Sequence, residues 1–131
     1  MNLSLNHVIK TVLPVVKRHP AICLAYIFGS VATNSAGPLS DYDFAFYFDN
    51  KNTNIIDLHL RLISEISLTL QTDKVDCLVL NNENISPEIK YAVISQGILF
   101  HELEAYKIIV ETKILNEYFD YKKSLELNGI T

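Results

Sequence analysis

The stretch IFGSVATNSAGPLSDYDFAFYF, from Ile27 to Phe48, decides how the chain is read. An apolar run ends in Gly29-Ser30, ten residues pass, and Asp41 and Asp43 then stand one residue apart at the head of a second apolar run. In a strand that begins at Asp41, alternation puts Asp41, Asp43, Ala45 and Tyr47 on one face and Tyr42, Phe44, Phe46 and Phe48 on the other. The aromatic face needs a covering layer, whereas the acidic face has no structural need of two charges. A strand that ends in Gly-Ser and turns into a short helix presents backbone N–H groups where the helix dipole favours phosphate. Gly29 has no side chain to obstruct the phosphate, and the Ser30 hydroxyl can donate a further hydrogen bond. Across from it, Asp41 and Asp43 would clamp a divalent cation, because Mg²⁺ prefers carboxylate oxygens together with substrate phosphate oxygens.

Outward from this stretch the signals alternate between helix and strand, which predicts an α/β-type domain. Upstream, Val8, Ile9, Val12, Leu13 and Val16 fall at helical spacing between Leu5 and Arg18, with Pro14 expected to kink or break the helix. Ala21 to Phe28 reads as a buried strand. Downstream, Asn54 is a candidate N-cap for a helix whose apolar face is Ile55, Leu58, His59, Leu62, Ile63, Ile66 and Leu70. KVDCLVL, Lys74 to Leu80, is a third strand and carries Asp76 among apolar neighbours. Ser86, Pro87 and Gly97 bracket a further helix. A brief run, ILFHE, leads into a last helix from about Glu102 to Leu127. That helix carries Tyr106, Ile109, Val110, Ile114, Tyr118, Tyr121 and Leu125 as a stripe. Its far end, with Phe119 as well, is expected either to be core or to overhang toward a partner.

Composition sets the bounds. A chain of 131 residues, 49% hydrophobic and 20% charged, suits one domain spanning residues 1–131. Fifteen acidic against eleven basic residues give a net charge of −4, which does not suit direct nucleic-acid binding, where a concentrated basic patch is needed. No signal-peptide pattern or membrane-spanning apolar run is present, so the expected location is cytoplasmic, without a membrane partner. Cys23 and Cys77 sit singly in apolar runs and read as reduced core thiols. His7, His19, His59 and His101 lack metal-ligand spacing.

Gly-Ser, ten residues, Asp-x-Asp, and a third aspartate on a later strand resemble the nucleotidyltransferase superfamily of the polymerase-β type. The run AGPLSDYDFAFYFD and the small size are most similar to minimal nucleotidyltransferase domains, the antitoxin partners of HEPN-domain toxins in type VII toxin–antitoxin systems. The resemblance implies a small mixed β-sheet flanked by helices with a long C-terminal helix. It implies an enzyme that transfers AMP from ATP to a tyrosine of a HEPN-family ribonuclease toxin, with two Mg²⁺ ions and release of pyrophosphate. By position, Gly29 and Ser30 would hold phosphate, Asp41 and Asp43 would bind both metals, and Asp76 would complete the metal site and help to activate the attacking hydroxyl. Many relatives place an arginine shortly after the Gly-Ser turn, whereas this chain has no basic residue from there to Lys51. A non-catalytic antitoxin that works by covering the toxin therefore stands beside the enzyme as an alternative. Transfer to a small molecule fits less well, since such relatives add a second helical domain.

Overall fold

Ser4 opens the first helix by accepting a hydrogen bond from the His7 N–H (3.3 Å), and Val8, Val12, Val15 and Val16 then recur on one buried face of α1, Leu5–Lys17. The helix runs unbroken through Pro14. Pro14 and Lys10, whose carbonyl loses its helical donor, are both exposed, so water can serve that carbonyl. These features come from a computed structural model that describes residues 4–33, 35–37 and 40–129.

The element order continues β1 (Ile22–Phe28), α2 (Gly29–Ala32), β2 (Tyr42–Phe48), α3 (Ile55–Leu70), β3 (Val75–Val79), α4 (Pro87–Gln96), β4 (Ile98–Glu102) and α5 (Tyr106–Leu127). The strands form one mixed sheet in the order β3-β2-β1-β4, antiparallel except for the β2/β3 pair, which α3 connects as a parallel crossover. ILFHE, expected only as a lead-in to the last helix, is thus a strand paired with β1, and α5 starts four residues later than its pattern suggested. The sheet has two covered faces. Phe44, Phe46 and Phe48 pack under α1 and α3, with Val12, Val16, Leu62 and Ile66 supplying the other side. Leu24, Tyr26 and Ala45 pack under α4 and α5 with Val93, Val110 and Ile114. The buried Tyr26 hydroxyl donates to Glu111 Oε2 (2.6 Å), tying β1 to α5.

The caps read from the sequence hold α3 and α4 in place. Asn54 accepts from the Asp57 N–H (3.1 Å) and Ser86 from the Ile89 N–H (3.3 Å). Gly97 ends α4 with φ −77°, so its value is room rather than handedness. A methyl there would collide with the Val93 carbonyl and stand 3.2 Å from the Ile27 carbonyl, where the chain turns close beside β1. Cys23 and Cys77 are buried and free. The end of α5 folds back onto α4: Tyr118 stacks on Tyr91 at 3.9 Å, and the Tyr121 hydroxyl donates to Glu88 (2.8 Å), while Phe119 is 58% exposed. Ile109, placed on the apolar stripe by its spacing, is instead 64% exposed. No described helix is long and apolar enough to cross a membrane.

Candidate active site

Because β1 runs antiparallel to β2 and β3 runs parallel to it, the end of β1 meets the beginnings of β2 and β3 at one rim of the sheet. The register there aligns Phe28, Asp43 and Asp76 in a row across the three strands. Neighbouring strands lie about 4.8 Å apart, which sets the step along this row. Asp43 and Asp76 share the face that carries Ala45 and Leu78, the one under α4 and α5. Asp41 stands one residue before β2 and is exposed, as is Asp76 on the outer strand, while Asp43 is half-buried.

Gly29 follows Phe28 directly and has φ +74°, a left-handed conformation that disfavours any side chain. Room is short as well: a methyl on Gly29 would collide with the Asp43 carboxylate, with Cγ 3.3 Å away, unless that carboxylate turned aside. The turn after β1 is therefore moulded against the central carboxylate. Ser30 lies in the four-residue α2, and the turn is pinned by the Thr33 N–H on the Gly29 carbonyl (3.3 Å) and the Ser35 N–H on the Ser30 carbonyl (2.8 Å). Asn34, between Thr33 and Ser35 in the sequence, lies outside the described residues.

Burial raises the Asp43 pKa to about 6, and the negative charges of Asp76 and Asp41 push in the same direction. A cation placed here would relieve that repulsion and displace the proton. Among the described residues no three His, Cys, Asp or Glu side chains converge to hold a metal unaided. The donors present, carboxylate oxygens on neighbouring strands beside a glycine turn, fit Mg²⁺, which takes one or two carboxylates and fills its remaining positions with phosphate oxygens and water. The five residues singled out by sequence thus lie at one rim: Gly29 touches Asp43, Asp76 neighbours it in register, Ser30 continues the turn, and Asp41 sits just ahead of β2.

One feature of the rim escaped the sequence reading. Beside Asp76, around the free edge of β3, runs a groove of about 440 Å³ lined by Ile55, Ile56, His59, Leu78 and Ile85 among others. His59 Nε2 donates to the Cys77 carbonyl (2.6 Å) on that edge. The signal available was a histidine on an otherwise apolar helical face.

The sequence pattern of the family described as "Polymerase beta, Nucleotidyltransferase" matches residues 10–105. No curated protein matches the chain by sequence. Among solved structures, the chain is similar to one in a toxin–antitoxin structure with AMP-PNP, at 19% identity and a TM-score of 0.75, covering 91% of this chain and 93% of that one. It is similar to one in a mutant of the toxin–antitoxin MntA-HpeT carrying two aspartate-to-glutamate changes, at 21% identity and a TM-score of 0.72, covering 95% and 94%. A third likeness is to a chain in the complex of tri-AMPylated Shewanella oneidensis HEPN toxin with MNT antitoxin, at 18% identity and a TM-score of 0.70, covering 93% and 92%.

Proposed function

Since the chain belongs to the polymerase beta nucleotidyltransferase family, we propose that it is a Mg²⁺-dependent protein adenylyltransferase, the antitoxin partner of a HEPN-domain toxin, which moves AMP from ATP to a tyrosine hydroxyl of that toxin. The observation that carries the reading is the row of Phe28, Asp43 and Asp76 with Gly29 close against Asp43, which sets a glycine turn beside two neighbouring carboxylates. The similar toxin–antitoxin structures, one with AMP-PNP and one with a tri-AMPylated toxin, support it.

In this reading the turn at Gly29 and Ser30 holds the β- and γ-phosphates by backbone N–H groups and the Ser30 hydroxyl. Asp41 and Asp43 would hold Mg²⁺, and Asp76 would share it. When bound there, the metal would supply neutralising charge for the phosphates and for the pyrophosphate leaving group. Asp76 accepts the proton of the attacking tyrosine hydroxyl. Burial and the charges of Asp76 and Asp41 raise the Asp43 pKa to about 6, and a cation held here would favour its ionised form. The test is partner-dependent release of pyrophosphate: Mg-ATP and the HEPN protein together should yield it, and omission of either should not.

A second reading rests on the absence of any basic residue from Gly29 to Lys51. Without a counter-charge for the triphosphate, the protein would neutralise its partner by binding alone. Neutralisation by an Asp43→Asn variant as complete as that by the parent would favour it.

A further inference from the structure

Adenylyl transfer is an in-line displacement, so the attacking oxygen must approach the α-phosphorus from the side opposite the leaving pyrophosphate. The sheet order converts that rule into a direction. With the terminal phosphates at the Gly29-Ser30 turn after β1 and the metal-binding Asp43 on β2, the acceptor must come from beyond Asp76 on β3, which is the last strand on that side. The groove at the free edge of β3 is there, and Asp76 is part of its wall.

Its lining says what it can hold. Ile55, Ile56, Leu78 and Ile85 offer apolar contact, while Asp76 at the rim is a proton acceptor. Ile56 is 73% exposed, a large apolar side chain left in water. The β3 backbone groups facing the open edge belong to Val75, Cys77 and Val79, since the Lys74 carbonyl and the Leu80 N–H are already bonded to β2. His59 occupies the Cys77 carbonyl, the middle one of that edge. An incoming segment cannot add as a full extra strand and must be held mainly through its side chains.

We infer that the groove formed by the α3 N-terminal turns, the free edge of β3 and Ile85 is the acceptor site, which holds an apolar-flanked tyrosine segment of the partner protein and delivers its hydroxyl to Asp76. The inference rests on the proposed adenylyl transfer and adds where the acceptor binds. In the step itself the phenol oxygen bonds to the α-phosphorus and the bond from that phosphorus to the α,β-bridging oxygen breaks. Pyrophosphate leaves with the electron pair, and the phenolic proton passes to the Asp76 carboxylate. Ile56 and Ile85 act as specificity contacts, touching the acceptor segment rather than the reacting atoms.

The test is steady-state transfer of AMP from Mg-ATP to the HEPN-domain partner, comparing the parent with Ile56→Glu, Ile56→Ser and a control, Leu68→Glu. Leu68 is on the same helix, 76% exposed, and twelve residues or about 18 Å farther along it. Both Ile56 variants replace an exposed side chain, and circular dichroism checks their fold. For Ile56→Glu the acceptor KM should rise tenfold or more, with kcat at saturating acceptor within twofold of the parent and the KM for ATP unchanged. Ile56→Ser should show a smaller rise, and Leu68→Glu should match the parent. An unchanged acceptor KM in Ile56→Glu overturns the groove assignment while leaving adenylyl transfer intact, and so does an equal rise in Leu68→Glu. A parent that transfers no AMP overturns the enzymatic reading, and the groove with it.

Discussion

Replacing Gly29 by alanine probes the contact on which the site is built. An alanine at φ +74° carries the left-handed penalty of about 1–2 kcal/mol. Its methyl also meets the Asp43 carboxylate, which must swing aside, and such overpacking costs a further ~1 kcal/mol at a side chain able to move. The sum, about 2–3 kcal/mol, corresponds for a chain of this size to a Tm lower by roughly 6–12 °C. The two parts separate in a double-mutant cycle, because Asp43→Ala removes the atoms the methyl strikes but not the backbone penalty. Gly29→Ala should therefore cost about 1 kcal/mol less in the Asp43→Ala background than in the parent. The assay is thermal and urea denaturation of the four proteins, with the Tm rise on adding Mg-ATP measured in parallel. A Gly29→Ala protein that melts with the parent and keeps its full Mg-ATP shift would refute the reasoning, as would a cycle with no coupling.

Asp43 has a pKa raised to about 6, so its ionisation works against the folded state: the contribution is favourable below pH 4 and is lost as pH rises through about 6. Without cation, Asp43→Asn should be more stable than the parent at pH 7 by about 1 kcal/mol after solvent screening, with the gap closing toward pH 4 in urea titrations. Ala105 caps α5 at φ +76°, and Ala105→Gly should raise stability by about 1 kcal/mol, read as a higher urea midpoint. Tyr118→Ala removes the stack on Tyr91 and should lower stability by about 1–2 kcal/mol, so calorimetry should show the α5 end supporting the fold.

The rim was legible in the sequence because its signals are local. Gly29-Ser30 at a strand end and Asp41-x-Asp43 at a strand start need only short-range alternation, and Asn54 and Ser86 announce their helices within three residues. What the sequence hid depends on distant pairing. ILFHE is too short to carry its own pattern and becomes a strand because β1, over seventy residues earlier, offers an open edge. An aspartate amid the apolar residues of a third strand marks Asp76 as a candidate to join Asp41 and Asp43, but its place beside Asp43 turns on the register of a parallel crossover that no local signal sets. Ile109 and Tyr118 show the same limit on α5. Apolar residues occur all around this helix, so spacing alone does not tell which of them meets α4, which meets the sheet and which faces water.

Intact-mass measurement of the HEPN-domain partner, after incubation with this protein and Mg-ATP, tests adenylyl transfer most directly. The parent should add whole AMP units to the partner, while Asp43→Asn should still co-purify with the partner and add none within the time the parent takes for completion. A partner whose mass stays unchanged with the parent, or gains AMP equally with Asp43→Asn, would contradict the assignment of this carboxylate row as the centre of an adenylyltransferase.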